Sequence, residues 1–123
     1  MTYTIDKDFA FSASHVLTGL PEGHQCGRLH GHNYLVRLRL SGERLLPVGF
    51  LYDYGSMRPF GQFIDNTLDH RHLNDVMDGN PTAERLAQHL GIIAKGLLLR
   101  LPDGVDVAVG VSETPKTWAW WLP

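Results

Sequence analysis

The chain has little sulfur, no long apolar run and no excess of charge of either sign. Its single cysteine, Cys26, rules out an internal disulfide and fits a reducing compartment. No stretch approaches the roughly eighteen consecutive apolar residues that a membrane span requires. The opening MTYTIDKDFAFSASH lacks the basic and apolar regions of a secretory signal, so a cytoplasmic protein is expected. A formal net charge of −2 gives no general attraction to nucleic acid or acidic membranes, and any anion binding must be local. Low-complexity segments, repeats and composition breaks are also missing. With 123 residues, the expectation is one domain over residues 1–123, with one core. What stands out is histidine, seven in all, three of them packed with the cysteine into HQCGRLHGHNY at residues 24–34.

Periodicity supplies the organisation. NYLVRLRL alternates, placing Tyr34, Val36, Leu38 and Leu40 on one side and Leu35, Arg37 and Arg39 on the other, as in a half-buried strand. In the first segment Phe9, Phe11, Ala13 and His15 share a face, and this strand is expected to pair antiparallel with the one after His32. Met57, Phe60, Phe63, Ile64 and Leu68 then fall at helical spacing, with Ser56 the expected cap and Pro59 in the first turn. A second helix should open with Asn80 as cap and Pro81 at its first position, burying Leu86, Leu90, Ile93 and Leu97. VDVAVGVSE alternates through Val105, Val107, Val109, Val111 and Glu113, and KTWAWW provides a last strand. The order ββααββ implies an α+β fold: an antiparallel four-stranded sheet with both helices on one face. Such a small sheet leaves edges that favour self-association.

Three constellations carry chemistry. His30 and His32, two apart at the start of a strand, project to the same side, and Gly31 lets the backbone pass closely, so HGH reads as a metal clamp. Zinc is the metal that suits imidazole, and a catalytic zinc takes three protein ligands with one position open. His15 is the leading third ligand, with His24 and Cys26 as rivals. Cys26 could close the site as a fourth ligand, stay unbound, or be an inert thiol; beside a divalent cation a free thiol ionises more readily and becomes a base or nucleophile. In LDHRHLND, Asp69 next to His70 offers a carboxylate–imidazole relay, although adjacent residues seldom face each other and an ordinary polar loop is the competing reading. Glu113 ends an otherwise apolar strand face, where a carboxylate needs a donor: an arginine of the chain, or a ligand edge with two parallel N–H groups, as in guanine or a pterin.

Taken in order, FSASH, CGRLHGHNY, YDYGSM, LDHRHLN, NPTAE and SET resemble the 6-pyruvoyltetrahydropterin synthase family, which has the tunnelling fold. The three residues between Cys26 and HGH, preceded by PEGHQ, are similar to the bacterial 6-carboxy-5,6,7,8-tetrahydropterin synthases of queuosine and other 7-deazapurine biosynthesis. The resemblance implies that His15, His30 and His32 bind zinc and that Cys26 is the proton-transferring thiolate. It implies that Asp69 and His70 form a relay reaching in from a neighbouring subunit, and that Glu113, with Thr114 beside it, anchors the pterin. It further implies trimers stacked into hexamers, and 7,8-dihydroneopterin triphosphate as substrate. The product would be 6-carboxytetrahydropterin with release of acetaldehyde and triphosphate. The alternatives are a pyruvoyl-type lyase that keeps the side chain and, behind it, a non-catalytic metal- or pterin-binding protein. Cations for the triphosphate are expected among Lys7, Arg28, Arg37 and Lys116.

Overall fold

β1 (Tyr3–His15) and β2 (His30–Gly42) form the long antiparallel arm that their alternation predicts, in continuous register from Tyr3 opposite Gly42 to His15 opposite His30. The computed structural model describes all of residues 1–123. Phe11, Ala13, Tyr34, Val36, Leu38 and Leu40 are buried on one side of this arm, as the period-two reading requires. α1 (Arg58–Thr67) and α2 (Ala83–Leu97) cover that side, and β4 (Asp106–Ser112) and β5 (Ala119–Trp121) complete the far edge. Met57, Phe60, Ile64, Leu68, Leu86 and Leu90 are fully buried in the same core. Each such side chain contributes about 1.5–3 kcal/mol when removed from water.

The sheet has five strands, not four, in the order β3-β1-β2-β4-β5. The additional strand, β3 (Arg71–His72), falls in a segment expected to be a loop between helices, and it pairs parallel to β1 through Ala13 and Ser14. Both expected caps move. Asp53, not Ser56, accepts from Gly55 N and opens a 3-10 turn over Tyr54–Met57 that runs into α1. Thr82, not Asn80, caps α2 by accepting from Arg85 N. Asn80 instead clamps the β1–β2 loop, accepting from Thr18 N and donating to Thr18 O, each at 2.8 Å. The buried stripe of α2 runs through Leu86, Ala87, Leu90 and Ala94 to Leu98, so Ile93 and Leu97 sit half-buried on its margin.

The sheet face away from the helices carries a cross-strand ladder. Register places Asp6 opposite Arg39 and Asp8 opposite Arg37, and each pair closes as two parallel hydrogen bonds of 2.8–3.0 Å. Arg37 then lies over Trp118 and Arg39 over Trp120, at 4.6 and 4.4 Å from the ring centroids. Trp120 can lie flat on β4 because Gly110 has no side chain; an added Cβ would come within 2.7 Å of the indole. Arg37 is therefore bound within the chain, and Lys7 is directed to the Tyr54 carbonyl and the Phe9 ring.

Candidate metal centre and active site

The end of the β1–β2 arm brings His15, His30 and His32 together, with one ligand nitrogen from each within 4.8 Å of the others. The alternation that buries Phe11 and Tyr34 also turns these imidazoles inward. Gly31 is what allows the arm to close, since a Cβ there would sit 3.2 Å from the Ala13 carbonyl oxygen. His15 is thus the third member, while His24 and Cys26 stand outside the cluster. His24 instead accepts from the Cys26 backbone N at 3.1 Å and caps a 3-10 turn over Gln25–Gly27.

Hydrogen bonds at the far side of each ring decide which nitrogen faces inward. His15 Nδ1 lies 2.8 Å from the Pro81 carbonyl oxygen, and His30 Nδ1 lies 2.7 Å from that of Arg28. A carbonyl only accepts, so both Nδ1 atoms carry a proton, and in the neutral rings both Nε2 atoms present lone pairs. These two Nε2 atoms are 2.9 Å apart. His32 Nε2 is buried with no hydrogen-bond partner. Lone pairs facing each other with no proton between them repel, and an unpartnered buried nitrogen costs about 1–3 kcal/mol. A cation resolves both problems, and the carbonyl-anchored Nδ1–H pattern is the second shell that orients metal-binding histidines. The separation is slightly below the roughly 3.3 Å expected between nitrogens about 2.05 Å from a tetrahedral zinc. Burial lowers the His32 pKa, although Glu113 opposes the shift, and this favours the neutral form that ligates. Tyr34 floors the cluster, and burial, with Glu113 nearby, pushes its hydroxyl far above the ordinary tyrosine range.

Cys26 lies on the β1–β2 loop, half-buried, its carbonyl accepting at 3.2 Å from the N of Leu17, two residues past His15. Glu113, just past β4, sets a carboxylate oxygen 3.8 Å from His32 Nε2. Its partner in the chain is therefore a histidine, not an arginine, at a distance beyond a hydrogen bond. The Thr114 hydroxyl is engaged with Thr117 at 3.0 Å, and its carbonyl accepts from Ser112 Oγ, so the threonine shapes the turn that holds Glu113.

Asp69 and His70 do face each other, with 2.9 Å between Oδ2 and Nδ1. His70 has φ +59, a left-handed conformation rare outside glycine, and this folds the two adjacent side chains onto one another. The pair is fastened to β1: Ser12 N donates to Asp69 Oδ1 at 2.9 Å, and His70 N donates to Ser12 O at 2.7 Å. The Ser12 N–H, and next the His70 ring, hold the Asp69 carboxyl below the usual carboxylate range. The His70 ring is 83% exposed, on the outer side of β1 from His30 and His32.

Sequence reasoning missed the orienting groups Pro81 O, Arg28 O and Tyr34. The two carbonyls leave no side-chain signal, whereas Tyr34 could have been found from its place on the His30–His32 face.

Known proteins agree with this architecture. The 6-carboxy-5,6,7,8-tetrahydropterin synthase of Bacillus subtilis is 28% identical over 130 residues, covering 99% of this chain and 86% of that protein. The protein of the same name from Synechocystis is 34% identical over 91 residues, 69% of each chain. The solved Caenorhabditis elegans 6-pyruvoyl tetrahydropterin synthase superposes with a TM-score of 0.84 at 25% identity, covering 100% of this chain and 96% of that one. The family described as 6-pyruvoyl tetrahydropterin synthase matches residues 4–122, and the chain, with its sheet, helices and histidine cluster, belongs to that family of pterin synthases.

Proposed function

We propose that this chain is a zinc-dependent 6-carboxy-5,6,7,8-tetrahydropterin synthase acting on 7,8-dihydroneopterin triphosphate. The observation that carries the reading is the set of inward-facing ring nitrogens of His15, His30 and His32, one from each within 4.8 Å of the others, beside a carboxylate, Glu113, suited to a pterin edge. The resemblance of the Cys26–HGH segment to the carboxy enzymes, and the names of the bacterial relatives, favour the carboxy product.

When bound, zinc supplies Lewis acidity to an oxygen of the substrate side chain. The chain's own groups do the rest. Glu113 accepts the 2-amino and N3 protons of the pterin and fixes its orientation. Cys26, excluded from the nitrogen cluster, is free to remove a proton from the carbon next to the activated oxygen. His70, held by Asp69, carries a proton to or from that oxygen. Triphosphate leaves, water adds to the side-chain carbon next to the ring once it is a carbonyl, the carbon–carbon bond beyond it breaks, acetaldehyde is released, and that carbon remains as the carboxyl, its second oxygen coming from the water. Subunits associate through the open sheet edges, since β3 covers only Ala13 and Ser14 of the long strand β1. They share active sites in trimer-based hexamers in the cytoplasm, and the product feeds 7-deazapurine synthesis.

The likeness to the worm protein supports a second reading, a pyruvoyl synthase that eliminates triphosphate without carbon–carbon cleavage. Mass spectrometry of the products from dihydroneopterin triphosphate, with an enzymatic assay for acetaldehyde, separates the two. Acetaldehyde in step with product supports the carboxy enzyme; a retained three-carbon side chain supports the pyruvoyl enzyme.

A further inference from the structure

We propose that Asn74 and Asn80 are positioning residues for the reaction: together they hold residues 16–18 extended, and so fix where Cys26 stands relative to His15. β1 ends at His15 and β3 pairs only with Ala13 and Ser14, so the three residues that lead from the nitrogen cluster into the β1–β2 loop have no strand on their outer side. Two carboxamides take that strand's place. Val16 N donates to Asn74 Oδ1 at 2.9 Å, and Asn74 Nδ2 donates to Val16 O at 2.8 Å. Thr18 N donates to Asn80 Oδ1 and Asn80 Nδ2 to Thr18 O, both at 2.8 Å, and the Thr18 hydroxyl adds a bond of 3.0 Å. Each residue exchanges two bonds with one amide, as opposed residues do in an antiparallel ladder.

Alternation then directs Leu17. Successive N–H groups of an extended chain point to opposite edges, so with Val16 and Thr18 bound on the outer side the Leu17 N–H faces the loop. It donates to Cys26 O at 3.2 Å. The turn rests against the same residue, since a Cβ added to Gly27 would lie 3.7 Å from Leu17 O. From Thr18 to Leu29 every residue is exposed except Cys26, and this one inward-turned residue is the one tied to Leu17. The same segment orients a ligand: Pro81, next after Asn80, takes the His15 Nδ1 proton at 2.8 Å.

Neither asparagine has a place in the chemistry set out above, and the role given them rests on that chemistry, in which Cys26 removes a proton from the substrate side chain. Displacing a reacting group by about 1 Å can lower a rate about 10²-fold. Glu113 follows β4 and touches neither amide, so the anchor for the pterin does not depend on them.

Asn74→Ala and Asn80→Ala should each lower kcat for dihydroneopterin triphosphate about tenfold, with KM within about twofold and a full complement of zinc by elemental assay. Asn66→Ala, which removes an exposed amide of α1, should change none of these. A double-mutant cycle shows whether the loss passes through the thiol: added to Cys26→Ala, either substitution should lower the residual turnover by less than about twofold. An unchanged kcat, a loss that appears in KM or in zinc content, or the full loss repeated without the thiol overturns the assignment. If the native chain does not turn over dihydroneopterin triphosphate, the proposed function fails instead. Hydrogen exchange then decides the placement of Cys26 alone: it stands only if both variants quicken exchange at the Leu17 amide about tenfold and leave Leu38, buried in β2, unchanged.

Discussion

Metal removal offers the sharpest test of the nitrogen cluster, because the cost of leaving it empty can be worked out. His15 comes from β1 and His30 and His32 from β2, so an ion there ties the two strands of the central arm at one end. Binding to the native state alone stabilises by RT ln(1 + [L]/Kd), about 4 kcal/mol when free zinc is a thousandfold above its dissociation constant. Unfolding entropy near 2.1 cal/mol/K per residue, over 123 residues, converts each kcal/mol to about 4 °C. Chelation should therefore lower the calorimetric Tm by about 16 °C from the zinc-buffered value. His30→Ala is the informative variant, since His15 is 1% exposed and its loss would open the core as well as the site. The variant should bind zinc too weakly to show more than a few degrees of this shift, while Cys26→Ser should show nearly all of it. An undiminished shift in His30→Ala, or its loss in Cys26→Ser, would refute the assignment of ligands.

Cys26→Ala should keep a full complement of zinc by elemental assay and lose turnover by a factor of about 10² or more, as expected for a missing proton-transfer group; retained turnover would remove the thiol from the chemistry. Glu113→Ala should raise the dissociation constant for neopterin by about 10², the loss of two charge-assisted hydrogen bonds, with oligomer size by light scattering unchanged. Asp69 titrates below its ordinary value of 3.8 in the folded chain. Its contribution is therefore present above that value and lost as pH falls through the lower, folded one. Asp69→Asn should accordingly be less stable than the native chain at neutral pH, with the difference shrinking in acid; a constant difference in urea titrations from pH 6 to pH 2.5 would contradict the Ser12 and His70 contacts.

The long elements were legible because they carry a period. Alternation in NYLVRLRL and VDVAVGVSE, and helical spacing from Leu86 onward, follow directly from one buried face. Elements too short for a period were not: β3 is two residues, and its pairing is arranged by Asp69 and Asn74, which accept from Ser12 N and Val16 N, and by the Ser14 hydroxyl of β1 meeting His72. Caps were misplaced for a related reason. Asn80 is a good cap locally, but its amide is engaged by Thr18, a contact separated by 62 residues, and Thr82 takes over. At the site, HGH and its partner strand brought the three histidines together, because alternation fixes direction as well as burial. The facing of Asp69 and His70 depends on a left-handed backbone at a non-glycine residue, which composition does not announce. The Asp6–Arg39 and Asp8–Arg37 pairs needed the register itself, and without it Arg37 looked like a free cation.

The Asp69–His70 pair, proposed as a proton relay, sits at a sheet edge. Two hydrogen bonds fasten Asp69 and His70 to Ser12, on the outer edge of the sheet, whereas His30 and His32 lie across β1 on its inner neighbour. With 83% of its ring side exposed, His70 is directed toward whatever docks at that edge, and a relay in a neighbouring subunit's site is the expected arrangement. Complementation distinguishes this from relay within one chain. Cys26→Ala and His70→Ala chains, each inactive alone, are co-expressed under separate tags and the mixed oligomers isolated. If each site takes its thiol from one chain and its imidazole from another, random assembly at equal ratio makes about one quarter of the sites complete. Activity near that fraction of the native rate is the expected result. If both groups serve their own chain, no site is complete and mixed oligomers stay inactive. That outcome would place the relay within one chain.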